Sequence, residues 1–114
     1  MSFSTALIGE KMAVIEINAS NFEDEVINSD KPVLLDFWAI WCGPCRSLSP
    51  IVEEIAQEHP EIKVGKVNTD EQRQLAMNFG VTSIPLLVYF EDGKVVKSSV
   101  GARPKEAVEA WLFG

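Results

Sequence analysis

Residues 33–39, Val-Leu-Leu-Asp-Phe-Trp-Ala, form an apolar run interrupted by a single acid. A half-exposed strand alternates polar and apolar side chains; an uninterrupted run fits a central strand covered on both faces. A chain that contains one must also supply helices for both sides of a sheet.

The neighbouring segments have the periods to do so. Residues 13–18 read as a first strand. Ser20 and Glu23 then have the Ser-x-x-Glu spacing with which a helix caps its first free N–H groups, which predicts a short helix over 21–28. Leu48, Ile51, Val52, Ile55 and Ala56 recur at i, i+3, i+4, i+7 and i+8, one stripe of a helix running to His59. Pro50 lies inside it, removes one backbone donor and predicts a kink, with the apolar period continuing across. Residues 62–68 read as a strand, and 69–80 as a helix ended by Gly80. Residues 86–90 and 94–99 are strands joined by Asp92-Gly93, a pair that tolerates the positive φ of tight antiparallel hairpins. A last helix over 104–112 starts at Pro104 and turns Val108, Trp111 and Leu112 inward. The class is therefore α/β: a central mixed β-sheet, parallel strands plus an antiparallel hairpin, flanked by helices on both faces.

With 114 residues the chain is long enough for one compact soluble domain that needs neither a disulfide framework nor a structural metal. Its 10 basic and 17 acidic side chains leave a net charge of −7, which argues against nucleic acid and anionic membrane surfaces as partners. Asp36 ends the apolar run at Val33-Leu34-Leu35, far short of the roughly 20 residues of a membrane span. Residues 1–11 read as an N-terminal extension, a candidate for disorder, ahead of a domain over 12–114. Only Ala6-Leu7-Ile8 is apolar there and no basic residue precedes it, so a signal peptide is not expected and the cytoplasm is the default compartment.

Both cysteines fall in Trp41-Cys42-Gly43-Pro44-Cys45, where the second strand gives way to the long helix. A sulfur at a helix N-terminus faces free N–H groups and the positive end of the dipole, which favour the thiolate. Cys42 is expected at the exposed tip and Cys45, one turn along, pointing back into the domain. Gly43 permits the tight approach and Pro44 suits a first helical turn. Three readings compete. A structural disulfide across so short a loop contributes only about 2 kcal/mol, and cytosolic reductants oppose it. A zinc site needs four ligands, and two Cys plus the lone His59 fall short. The third reading, favoured by Cys-x-x-Cys near a βαβ pattern, is a redox dithiol. His59 itself reads as a surface residue, and Trp38 and Trp111 as core.

Asp36-Phe37-Trp38-Ala39, Trp41-Cys42-Gly43-Pro44-Cys45, Ile84-Pro85 and Gly101-Ala102 together resemble the thioredoxin family, over residues 12–112. The resemblance implies a βαβαβαββα thioredoxin fold and a general protein disulfide reductase that works by dithiol–disulfide exchange through Cys42 and Cys45. It also implies re-reduction by a thioredoxin reductase, disulfide-containing protein substrates and a monomer maintaining cytosolic redox homeostasis; no cofactor or metal is called for. In the family, the residue matching Asp36 assists deprotonation of the second cysteine, here Cys45. Pro85 matches the family's cis-proline, and the backbone of Ile84 would pair with the substrate. Trp41, Gly43, Pro44, Ile84, Pro85, Gly101 and Ala102 would form an apolar collar around Cys42. Ile40, Ser83 and Leu86 depart from the family pattern at the border of that surface.

Two supporting residues also have a physical reading. An ionised Asp36 inside an apolar run is costly to bury, so its pKa should rise toward the range useful for proton transfer; the alternative is an acid paired to backbone or solvent near a strand end. Lys66 shares a strand face with Ile62 and Val64, which would bury its stem and bring its head near Asp36; the alternative is a snorkelling surface lysine. A rival function of another class is a binding module that uses the collar to hold a partner. Between the cysteines there is no His to stabilise the thiolate further, so a reductant is expected rather than a strong oxidant.

Overall fold

The computed structural model describes residues 13–114, so the reading of residues 1–11 lies outside the described residues. The elements are β1 (Val14–Glu16), α1 (Glu23–Ile27), β2 (Val33–Trp38), α2 (Gly43–Glu58), β3 (Lys63–Asn68), α3 (Arg73–Asn78), β4 (Leu86–Glu91), β5 (Lys94–Val100) and α4 (Lys105–Phe113). They build one sheet in the order β1-β3-β2-β4-β5. β1, β3 and β2 run parallel, whereas β4 is antiparallel to β2 and β5 to β4. This is the mixed α/β architecture expected from the sequence.

Alternation along β2 divides its side chains between two cores. Val33, Leu35 and Phe37 join Val26 of α1 and Leu75 of α3 on one face. Leu34 faces the other way, with Leu48, Val52 and Ile55 of α2 and Val108 and Leu112 of α4. The period-2 rule puts Asp36 on this second face, beneath α2. The α2 stripe carries on past Pro50, as its spacing requires, and α2 runs unbroken to Glu58. Trp38 and Trp111 are only half-buried; both lie at the margin of a core and not within it.

Two expectations about helix starts are corrected. The Ser20/Glu23 capping box does not form. Asn18 Oδ1 instead accepts from the backbone N–H groups of Ser20 (2.8 Å) and Asn21 (3.1 Å) and from the Ser20 hydroxyl (2.6 Å). An Asn side chain two residues upstream reaches these donors first, in an Asx turn. The chain then enters α1, a short π-helical turn in which Asn28 N–H donates to Glu23 O. The third helix begins at Arg73, not near 69, because Asn68 Oδ1 repeats this capture with Asp70 and Glu71.

The turn residues behave as read. Gly80 (φ 61°) closes α3: its N–H donates to Met77 O and that of Val81 to Ala76 O, the paired bonds of a Schellman motif. Asp92 (φ 53°) and Gly93 (φ 76°) make the β4–β5 turn. Among the described residues no helix is long and apolar enough to cross a membrane.

Candidate active site

The site lies where β2 ends. Beyond Trp38 the chain turns through Ala39, whose carbonyl accepts the Cys42 N–H at 3.2 Å, and Cys42 becomes the N-cap of α2. Its backbone is extended (φ −92°, ψ 110°), and its sulfur accepts the Cys45 N–H at 3.2 Å. Sulfur thus fills the place that a Ser or Asp oxygen takes at most helix starts, within reach of the free N–H groups and the positive end of a 16-residue helix. Pro44 occupies the first turn, where its missing N–H is harmless. Cys42 and Cys45 are joined in a disulfide, with Cα atoms 5.3 Å apart.

Cys42 is not exposed as expected for a tip residue; it is 5% exposed and Cys45 2%. The bond to the inward-facing Cys45 draws its sulfur down onto Ala39, and Trp38 and Ile84 pack against the pair. Cys42 Sγ lies 3.9 Å from the carbonyl oxygen of Ile84. The Ile84–Pro85 peptide is cis. Pro85 is buried, and its carbonyl accepts the Gly101 N–H at 2.8 Å, which brings the turn carrying Gly101 and the exposed Ala102 beside the Ile84 segment. Trp41 stays outside, 66% exposed, its indole donating to Asp70 Oδ2 at 2.9 Å. Of the departures from the family pattern, Ile40 and Ser83 are on the surface, whereas Leu86 is buried in the α1/α3 core, in the cluster against which Ile84 packs.

Behind the disulfide, a cavity of about 90 Å³ is lined by Asp36, Trp38, Cys45, Arg46, Ser49 and Lys66. Asp36 and Lys66 stand opposite each other in the β2/β3 ladder. The Lys66 ammonium lies 5.6 Å from the centre of the Trp38 ring, with its stem half-buried. Burial pushes the Asp36 carboxyl up to about 7, and the positive charge of Lys66 holds it back only in part. Asp36 Oδ1 and Trp38 Nε1 are both buried, without a hydrogen-bond partner among the described residues.

Several contributors carry no local signal in the sequence. Asp70 comes to Trp41 across 29 positions. Arg46 Nη1 donates to Ile40 O at 2.7 Å and steadies the loop before Cys42. Ser49 falls one turn after Cys45 and so shares its face, a spacing that could have flagged it.

His59 is at the far end of α2, about 24 Å of helix from Cys42 at 1.5 Å per residue, so it cannot share a metal with the cysteines. Nor is it a bare surface residue. Its ring nitrogens sit 3.1 Å from Glu61 and 3.0 Å from Glu109, and the ring packs on Phe113 at 4.5 Å.

The family model described as Thioredoxin matches residues 13–113. "Thioredoxin" of Porphyra purpurea is 48% identical over 102 residues, 89% of this chain and 95% of that protein. "Thioredoxin 1" of Nostoc sp. strain PCC 7120 is 50% identical over 101 residues, 88% of this chain and 94% of that protein. "Thioredoxin" of Mycobacterium tuberculosis strain H37Rv is 47% identical over 100 residues, 87% of this chain and 86% of that protein.

Proposed function

The chain belongs to the thioredoxin family, and from that premise we propose the roles of its residues in thiol–disulfide exchange. It is a thiol–disulfide oxidoreductase, a protein-disulfide reductase. The observation that carries the reading is the Cys42–Cys45 disulfide capping α2 beside the Ile84 carbonyl.

In the reduced protein, the Cys42 thiolate attacks one sulfur of a substrate disulfide. A mixed disulfide forms and the other substrate sulfur leaves as a thiolate, which takes a proton from water. Cys45 then gives its proton to the Asp36 carboxylate and attacks the Cys42 sulfur. The mixed disulfide breaks, the second substrate thiolate departs, and Cys42–Cys45 is left oxidised. Two electrons pass from the dithiol to the substrate. A carboxyl that titrates near 7 suits this work, because it can both take a proton and release it near neutral pH. Lys66 keeps enough of Asp36 ionised to act.

Trp41, Ile84, Pro85, Gly101 and Ala102 form the docking collar. An extended substrate segment pairs with the backbone at Ile84, held by Pro85 and its bond to Gly101. Gly43 and Pro44 let the substrate approach Cys42 closely. Disulfide-containing proteins are the substrates, and a thioredoxin reductase restores the dithiol. The protein works as a monomer in the cytoplasm.

The test is insulin disulfide reduction with dithiothreitol as electron source. Wild type should exceed the dithiothreitol background and Cys42→Ser should not. No enhancement by wild type would favour a binding module over a reductase.

A further inference from the structure

Each turnover in this mechanism leaves a proton on Asp36, a side chain that is only 4% exposed. Asp36 must lose that proton again before the next cycle, and the space that adjoins it is the cavity behind Cys45. Two of its lining residues carry a buried polar atom with no partner among the described residues: an acceptor, Asp36 Oδ1, and a donor, Trp38 Nε1. A buried carboxylate oxygen and a buried indole N–H are each costly to leave unpaired, and a water bonded to both removes both costs. The cavity, about 90 Å³, exceeds the space that one water requires. A stable internal water also wants a third polar partner that opens toward bulk solvent.

Ser49 has that position. It lies on α2 one turn beyond Cys45, is half-buried and lines the cavity, and its hydroxyl can both donate and accept. The other groups facing Asp36 are less suited. Lys66 from β3 and Arg46 from α2 are cations that only donate, Cys45 is the proton's source, and Leu87 of β4, opposite Asp36 in the sheet, is apolar. We propose that Ser49 is a positioning residue for Asp36: its hydroxyl holds a water that bonds Asp36 Oδ1 and Trp38 Nε1, and through this water the proton taken from Cys45 passes to solvent. The proposal rests on the dithiol reading above, and it assigns Ser49 to the release half of the cycle. No electron moves in this step; a proton leaves the Asp36 carboxyl and an equivalent one enters bulk water.

The experiment uses three substitutions in the full chain: Ser49→Ala, which removes the hydroxyl, Ser49→Thr, which keeps it, and Asp36→Asn as reference. Two quantities are read: the rate at which a preformed mixed disulfide on Cys42 resolves, from pH 6 to 8, and the titration midpoint of the Asp36 carboxyl by carbon-detected NMR. Alanine is a good helix former at this half-exposed site, so the variant folds. Ser49→Ala should slow resolution roughly 3- to 10-fold and shift the Asp36 midpoint upward, since the ionised form loses hydration; Ser49→Thr should restore both. An unchanged midpoint in Ser49→Ala, an unchanged resolution rate, or no rescue by Ser49→Thr would each overturn the assignment. If Asp36→Asn slows resolution while Ser49→Ala does not, the dithiol mechanism stands and only the role of Ser49 falls. If wild type resolves no mixed disulfide at all, both fall together.

Discussion

Lys66 of β3 lies directly opposite Asp36 of β2, on the sheet face that α2 covers, so a buried acid and a half-buried base share the floor of one cavity behind the disulfide. The pairing is unequal, because desolvation of the carboxyl outweighs the attraction of the ammonium. Lys66→Met removes that attraction and should raise the Asp36 midpoint further above 7. Release of a mixed disulfide at pH 7 should slow by up to about 10-fold and recover as the pH is raised. Stopped-flow resolution rates from pH 6 to 9 check it, and a profile identical to wild type would remove Lys66 from the mechanism.

The same carboxyl costs stability. Unfolded, it titrates near 3.8; folded, at about 7. Below pH 3.8 both states hold the proton and nothing is lost. Between the two values the unfolded chain ionises first, so stability falls as pH rises, and above 7 the loss is complete at about 4 kcal/mol. Asp36→Asn should therefore stabilise the protein by up to that amount at pH 8 and hardly at pH 3.5. Urea unfolding at both pH values measures it; an equal effect at both would mean that the gain is not electrostatic.

The two cysteines should differ under substitution. Cys45→Ser leaves the attacking sulfur without its resolving partner, and a covalent complex with substrate should accumulate, visible by mass spectrometry and released by dithiothreitol. Cys42→Ser should form no such complex. Turnover by Cys45→Ser at the wild-type rate would reverse the assignment.

Gly93 should resist substitution for two reasons. Its φ is positive, and a Cβ there would sit 2.6 Å from the backbone oxygen of Ile27, where the β4–β5 turn meets the end of α1. Gly93→Ala should cost on the order of 2 kcal/mol in stability while the reduced protein keeps its attack rate on disulfides. Thermal unfolding measures the cost, and a midpoint within one degree of wild type would show that the turn relaxes freely.

His59 should make a small contribution of opposite pH dependence. Its bond to Glu109, then that to Glu61, raises its pKa above 6.5. The stabilisation is present in full below pH 6.5 and is lost as pH rises through the higher folded value. Its carboxylate partners Glu61 and Glu109 are 60% and 30% exposed, so solvent screens the pairs and the ionic part should stay below about 1 kcal/mol. His59→Gln should destabilise more at pH 6 than at pH 9, the remainder at pH 9 being the lost packing on Phe113.

Much of this molecule is legible in the order of its residues, because the signals act over a few positions. The apolar run over 33–39 specifies a central strand, Cys-x-x-Cys with Pro44 marks a helix start that carries chemistry, Asp92-Gly93 marks the hairpin, and period alone sends Asp36 to the face opposite Phe37. Local signals fail where two side chains compete for the same donors: Asn18 and Asn68 capture the N–H groups that the sequence pattern assigns to later helix starts. Other features have no local signal. Cys42 is buried because Ile84, 42 positions away, packs over it; Trp41 is held by Asp70, and His59 by Glu109, 50 positions on. The cavity that joins Asp36, Trp38 and Ser49 exists only once α2 is laid on the sheet. Short-range order along the chain thus specifies the reacting groups and the elements that carry them. Burial, and with it the Asp36 midpoint, arises only in the assembled fold, because desolvation depends on every atom that excludes water from a site, wherever in the chain that atom lies.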